Sequence, residues 1–181
     1  MAASAELGGR IESIQIENFK SYRGKQTIGP FKEFTCVIGP NGSGKSNLMD
    51  AISFVLGVRT SQLRGSLREL LYSDSASQSS RDRPTTGRVT LVFESQDQGH
   101  LTHFSRVIAP SSAAPDATYT SQYKIDDRTV SADAYNRKLE SFGVLVKARN
   151  FLVFQVPPFA SACRLSKGQA SRSAGVSDSW K

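Results

Sequence analysis

The stretch Gly39-Pro40-Asn41-Gly42-Ser43-Gly44-Lys45-Ser46 constrains this chain more than any other. It matches G-x-x-x-x-G-K-[ST], the phosphate-binding P-loop, at every fixed position. Such a loop needs a strand before it and a helix after it. Phe34-Thr35-Cys36-Val37-Ile38 reads as a short buried strand, and Leu48, Ala51, Ile52, Val55 and Leu56 fall on one face of a helix. Gly57 stands where such a helix stops.

The residue types fit the chemistry. Gly39, Gly42 and Gly44 permit left-handed backbone and close approach of a ligand. Successive N–H groups can then face phosphate oxygens at the positive end of a helix dipole. Lys45 supplies a point charge for the β- and γ-phosphates of ATP, and the Ser46 hydroxyl can ligate Mg²⁺. A Gly/Ser loop that merely caps a helix explains the glycines but not the ordered Gly-Lys-Ser ending.

Length and composition set the frame. A chain of 181 residues, 38% hydrophobic and 22% charged, suits one α/β domain with a sizeable core. No apolar run approaches the roughly 20 residues that cross a bilayer, so no membrane partner is expected. Met1 to Arg10 lacks a basic and an apolar region, which argues against secretion. Cys36 and Cys163 are the only cysteines; Cys36 fits as a small residue in a buried strand, and a reducing compartment is expected. The net charge of +7 suits a polyanionic partner but equally a solvated surface.

Along the chain, residues 1–9 read as a flexible N-terminus. Ile11 to Phe19 is a first strand, Lys20 to Gly24 a basic turn, and Lys25 to Ile28 a returning strand. Val58 to Tyr72 is basic and helix-like, with Leu63, Leu67, Leu70 and Leu71 on one side, and Ser73 to Thr86 is an exposed loop. Arg88 to Glu94 with Leu101 to Ile108, and Tyr119 to Ile125 with Thr129-Val130, are two hairpins. Ser131 caps a helix that buries Tyr135, Leu139 and Phe142 and stops at Gly143. Asn150 to Gln155 reads as a central strand covered on both faces. From Val156 to Lys181 the chain turns to Pro, Ser and Ala without period, and reads as disordered.

Three separated motifs, in order, carry a family resemblance. Glu17-Asn18-Phe19-Lys20-Ser21-Tyr22, then Gly39 through Gly57, then Lys147-Ala148-Arg149-Asn150-Phe151-Leu152-Val153-Phe154-Gln155 resemble the N-terminal half of an SMC ATPase head. The wording of Ile28-Gly29-Pro30-Phe31 and of Ser46 through Phe54 favours the cohesin type over condensin. The resemblance covers about Ile11 to Gln155, taken as the head half-domain 10–155, with 156–181 as a non-family tail. It implies a P-loop NTPase of the ABC-ATPase (SMC/RecF/RecN) type: a mixed central sheet plus an antiparallel β lobe, N-terminal half only.

Site roles follow by resemblance. Lys20, Ser21 and Arg23 would lie near phosphate or adenine, and Pro40, Asn41, Gly42, Ser43, Gly44, Lys45, Ser46 and Asn47 would wrap the triphosphate. Gln155 would help Ser46 hold Mg²⁺ and would orient the attacking water. Arg64 would be an arginine reaching ATP or DNA across a head dimer; Arg59 and Arg68 fit a DNA-facing surface or a solvated helix face equally. The implied partners are a second cohesin SMC head, a kleisin subunit through a C-terminal half, and DNA, in the nucleus on chromosomes. Family members run from the Gln position into a glycine-led segment and a long coiled coil. Val156-Pro157-Pro158 replaces that here, and no apolar run ends in Asp-Glu, so a truncated or mis-spliced product or an incomplete gene model is expected.

Competing chemistry is thin. His100 and His103, three apart beside a strand, read as exposed turn histidines rather than metal ligands. Asp126-Asp127 reads as hairpin turn chemistry rather than a carboxylate pair. Two functions from other classes stand beside the head ATPase: a non-catalytic nucleotide- or partner-binding module, and a repair ATPase of the RecF kind.

Overall fold

Alternating apolar and polar residues carry six segments of the chain into one antiparallel sheet. The structure is a computed structural model and describes residues 9–58, 66–73, 84–96, 99–114 and 117–144, all within one unit, Met1–Phe151. Its strands are β1 (Gly9–Phe19), β2 (Tyr22–Ile28), β3 (Gly87–Ser95), β4 (Leu101–Pro110), β5 (Tyr119–Ile125) and β6 (Arg128–Val130). They lie side by side in the order β2-β1-β3-β4-β5-β6. Two helices, α1 (Lys45–Val55) and α2 (Ala132–Ser141), and a 3₁₀ turn at Arg68–Leu70 complete the described elements.

Register decides which face is buried. Ile14 pairs with Leu91 and Leu91 with Phe104, while Ile16 pairs with Val89 and Val89 with Arg106. Side chains two apart on a strand share a face, so these rows form one inner surface. Phe104 meets Tyr135 of α2 edge-on, and Phe19 meets Phe54 of α1. The opposite face is polar. There Arg88 lies flat across β3 and β4, donating to Thr90 Oγ1, Ser105 Oγ and Asp127 Oδ1, beside a cleft of about 320 Å³.

The expected hairpins are present, each a little longer than its apolar core. The Asp126-Asp127 turn has both residues at positive φ, 47° and 63°, as a tight hairpin turn requires. Ser131 caps α2, its hydroxyl accepting from the Ala134 N–H at 3.2 Å, and Tyr135, Leu139 and Phe142 are buried. On α1 and at its C-cap, Leu48, Ala51, Val55 and Leu56 are buried as the spacing predicts; Ile52, expected on the same face, is only half-buried, and Phe54 is buried instead.

Residues 34–38 depart from expectation. They form no strand: Phe34 is 88% exposed and Ile38 87%, and Cys36 is exposed rather than buried. The reason is pairing. A parallel central strand exists only through its ladder, and among the described residues none lies beside 34–38. Its expected neighbour, Asn150 to Gln155, falls outside the described residues. So do residues 1–8, 59–65 with Arg59 and Arg64, 74–83, and 145–181.

α1 is fixed at its C-terminal end by a full set of acceptor contacts. The last four carbonyls of a helix have no partner within it. Here Ile52 O accepts from Leu56 N–H, Ser53 O from Val58 N–H, and Phe54 O from Gly57 N–H, with Gly57 at φ 84°. Val55 O accepts from the buried Tyr135 hydroxyl at 2.7 Å. Phe54 O and Val58 O also accept from Arg106 Nη1 at 3.0 and 3.2 Å. The Arg106 guanidinium, on buried β4, lies over the Phe54 ring at 4.3 Å and the Tyr123 ring at 4.8 Å, and Ser121 Oγ accepts from its Nε and Nη2. Burial lowers its pKa from the usual arginine range and raises that of Tyr135 far above the usual phenol.

Tyr135→Phe leaves the Val55 carbonyl without its donor in an apolar setting and should cost about 1–2 kcal/mol. In urea this appears as a lower midpoint with an unchanged slope; an unshifted midpoint would show that the bond contributes nothing. On the outer face, the hydrogen bond and charge of Arg88 hold the Asp127 carboxyl below the usual aspartate range. An NMR titration should find that low midpoint, and Arg88→Met should return it to an ordinary value. Any stability from this exposed pair is present above the unfolded-state aspartate pKa and fades as pH falls through the lower folded value.

Candidate phosphate-binding site

Residues 39–43 are exposed and Gly44 is buried where the loop turns into α1 at Lys45. Gly42 and Gly44 have φ of 83° and 94°, the left-handed region in which glycine is at ease. A Cβ on Gly44 would lie 3.2 Å from Ser21 Oγ and 3.6 Å from the Tyr22 hydroxyl, so Ser21 would have to give by a few tenths of an ångström, and the left-handed backbone would strain any side chain there. Ser43 N–H donates to Pro40 O at 3.3 Å, closing the loop, and Leu48 N–H donates to Gly44 O at 2.9 Å as the first helical bond. No side chain caps α1, and its first turn holds no acidic residue. An anion at this end would therefore meet N–H dipoles without a competing carboxylate.

Lys45 reaches back over the loop, its ammonium donating to Gly39 O at 2.5 Å and Pro40 O at 2.6 Å. It is thereby poised across the space the loop encloses. Ser46 is exposed in the first turn. The residues present fit a phosphate chain: left-handed glycines, an uncapped helix start, a lysine over the loop and a hydroxyl one residue further on.

The segment Phe19 to Tyr22, where β1 turns into β2, runs along one side of α1 and its N-cap Gly44, each residue meeting one partner there. Phe19 packs on Phe54 with ring centroids 5.4 Å apart. Lys20 Nζ pairs with Asp50 Oδ2 at 2.6 Å, both side chains largely buried. Ser21 Oγ accepts from Asn47 Nδ2 at 2.9 Å, and the Tyr22 hydroxyl donates to Gly44 O at 3.4 Å. Positions 54, 50, 47 and 44 follow the three-to-four spacing of one helix face. Burial raises the Tyr22 pKa above the usual phenol.

The turn adopts this path through unusual backbone. Asn18 and Lys20 have φ of 49° and 48°, and the β1–β2 register slips between Glu17 and Phe19. Left-handed conformation in a non-glycine residue costs roughly 1–2 kcal/mol. The Asn18 side-chain carbonyl offsets part of this by accepting from Gly24 N–H at 2.9 Å. Backbone bonds from Lys20 N–H to Leu70 O, 2.7 Å, and from Tyr72 N–H to Asn18 O, 2.9 Å, brace the other side.

The sequence-predicted residues thus separate into groups. Pro40 through Asn47 and Ser21 come together around the loop. Lys20 comes close too, but its ammonium is engaged by Asp50. Arg23 lies exposed on β2, next to Tyr22 in the chain. Arg64 and Gln155 lie outside the described residues. Sequence reasoning passed over Asp50, Tyr22 and Arg106 as site or anchoring residues. A signal existed for Arg106, which is in phase with the apolar Phe104 and Ile108 along β4. Asp50 could have been noticed as a charge beside the apolar stripe of α1. Among the described residues no cluster could hold a metal ion by itself, and no helix is long and apolar enough to cross a membrane.

Comparison with known proteins agrees with this geometry. The chain is 54% identical over 159 residues to "Structural maintenance of chromosomes protein 1" of Arabidopsis thaliana, and 48% over 154 residues to the protein of that name from Schizosaccharomyces pombe. These alignments cover 86% and 81% of the chain, which spans 12% of the length of each relative. A solved structure from work on "ATP-driven dimerization and DNA stimulated activation of SMC ATPases" superposes with a TM-score of 0.64 at 25% identity, over 86% of this chain and 97% of that one. An SMC head bound to the C-winged helix domain of ScpA gives 0.58 at 29%, over 72% and 40%. The profile of the RecF/RecN/SMC N-terminal domain matches residues 10–174, and the chain belongs to that family.

Proposed function

We propose that this chain is the ATP-binding half of a cohesin-type SMC head. The observation that carries the reading is the loop from Gly39 to Ser46, with left-handed Gly42 and Gly44 and an uncapped, acid-free helix start behind it. The similarity to SMC protein 1 of two organisms supports the cohesin type. In this reading Gly42, Ser43 and Gly44 present backbone N–H groups to the phosphates of ATP. Lys45 exchanges its loop carbonyls for phosphate oxygens, and Ser46 offers its hydroxyl to Mg²⁺. Pro40 and Asn41 shape the loop, while Ser21, fixed by Asn47, lines its rim.

Hydrolysis needs more than a phosphate cradle: a group that positions water and a carboxylate beside the metal. Gln155 is our candidate for the first. The chain has no apolar run ending in Asp-Glu for the second. We therefore assign nucleotide binding to this chain and turnover to its assembly with a C-terminal half and a second SMC head. Arg64 is assigned to the dimer face, and DNA and a kleisin are the further partners, on chromosomes in the nucleus. Binding without turnover is the second reading, since a phosphate cradle is the part of the site that the described residues form.

An equilibrium titration with a fluorescent ATP and Mg²⁺ should detect binding to the chain, and Lys45→Ala should weaken it by about 2–3 kcal/mol, the scale of a charge-assisted bond and its buried counterpart. Equal binding by the variant would remove the P-loop assignment. The chain alone should release no phosphate from ATP. Release should begin once a matching C-terminal half and a partner head are added; turnover by the chain alone contradicts the assignment.

A further inference from the structure

The β1–β2 turn meets α1 residue by residue, and the one charged contact in that series is a largely buried ion pair. Lys20 and Asp50 have side-chain exposures of 13% and 6% and stand 2.6 Å apart. A surface lysine near a phosphate site would be expected in solvent, facing the loop. This one instead turns along the helix to its second turn, where a carboxylate meets it. Burying a charge pair brings little net stability, because desolvation offsets the attraction. What such a pair does supply is a fixed geometry, because moving either partner breaks a contact that offsets the other's buried charge.

That geometry is set directly beside the loop. Lys20 precedes Ser21 and Tyr22, whose hydroxyls stand 3.2 and 3.6 Å from where a Cβ of Gly44 would be. On the helix, Asp50 lies three residues beyond Asn47, which donates to Ser21 Oγ at 2.9 Å, and four beyond Ser46. Lys20 also holds φ of 48°, a conformation that persists where the surroundings over-determine it. The backbone bond from Lys20 N–H to Leu70 O and the pair with Asp50 are two such determinants.

We propose that Asp50 is a positioning residue for the nucleotide site: through Lys20 it fixes the β1–β2 turn, and with it Ser21 and Tyr22, against the Gly44 turn. Lys20 acts with Asp50 as one unit and is not itself a phosphate ligand. This rests on the reading of Gly39 to Ser46 as a nucleotide loop, and it makes the pair's effect on binding independent of how many phosphates the nucleotide carries.

The test is a set of titrations of the 181-residue chain with fluorescent ATP and fluorescent ADP, each with Mg²⁺, alongside thermal melting. The chain, Asp50→Asn, Lys20→Met, the double variant Lys20→Met/Asp50→Asn, and Lys45→Ala are compared. Asp50→Asn and Lys20→Met should each weaken binding about tenfold, and the double variant should be no worse than either, the non-additivity of residues that act together. ATP and ADP should lose affinity in the same proportion. If Lys20→Met leaves too strong a buried charge to fold, Asp50→Asn and the double variant carry the comparison, and they should agree. The proposal is overturned if Asp50→Asn binds as well as the parent or more tightly. It is overturned also if Lys20→Met weakens ATP more than ADP, which marks a phosphate ligand, or if melting falls while affinity is unchanged. Binding absent from both the parent chain and Lys45→Ala would instead remove the nucleotide reading and this proposal together.

Discussion

A guanidinium can be buried only where its donors find acceptors, and Arg106 finds them at the end of a helix. Its Nη1 reaches Phe54 O and Val58 O, and its plane lies between the Phe54 and Tyr123 rings. The C-terminal end of a helix carries partial negative charge, so a cation there is favourable, and more so away from water. Sheet and helix are thereby locked together, because β4 cannot slide without stripping donors from α1. A slip of one residue would also turn Arg106, Phe104 and Ile108 to the outer face. This directional contact and the buried apolar stripe of Leu48, Ala51, Phe54 and Val55 together set the position of the P-loop helix on the sheet.

Much of this was legible in the chain. Strand pairs show through period-two alternation, and the Asp-Asp and Ser131 signals mark turn and cap through local chemistry that needs no distant partner. The loop from Gly39 to Ser46 is legible for the same reason, since glycine conformation and the ordered Lys-Ser ending are local properties. The contacts that place the helix are not local. Phe19, Lys20 and Ser21 lie roughly thirty residues from their partners on α1, and nothing in a linear reading says which face of the helix they meet. Arg106 lies further still from Phe54. Its alternation phase could have marked it as inward-facing, yet only the structure says that what it meets there is a helix end rather than a carboxylate.

Phe34 to Ile38 shows the opposite limit. Apolar character and position before a P-loop make it read as a buried strand, while Phe34 and Ile38 are almost wholly exposed. β-propensity measures how well a residue fits a surface that already exists. With no ladder partner among the described residues, the segment has nothing to fit. The same run beside a paired strand would bury both faces. An exposed apolar segment of this kind marks a place where a polypeptide surface is meant to be covered.

The two ends of α1 are therefore built to different rules. At one end every carbonyl from Ile52 to Val55 accepts a hydrogen bond, from backbone, from Tyr135 and from Arg106. At the other end no side chain caps the helix, no carboxylate occupies the first turn, and glycine occupies the position where a capping serine or aspartate would ordinarily stand. A helix start without a side-chain cap is a cost that a fold ordinarily avoids, worth a few tenths of a kcal/mol where glycine stands in place of a good cap. Here it is kept beside a turn whose own left-handed residues add to that cost. The cost would fall if an anion supplied the missing acceptor, so the proposed binding at Gly39 to Ser46 draws on what the free loop lacks as much as on what it offers.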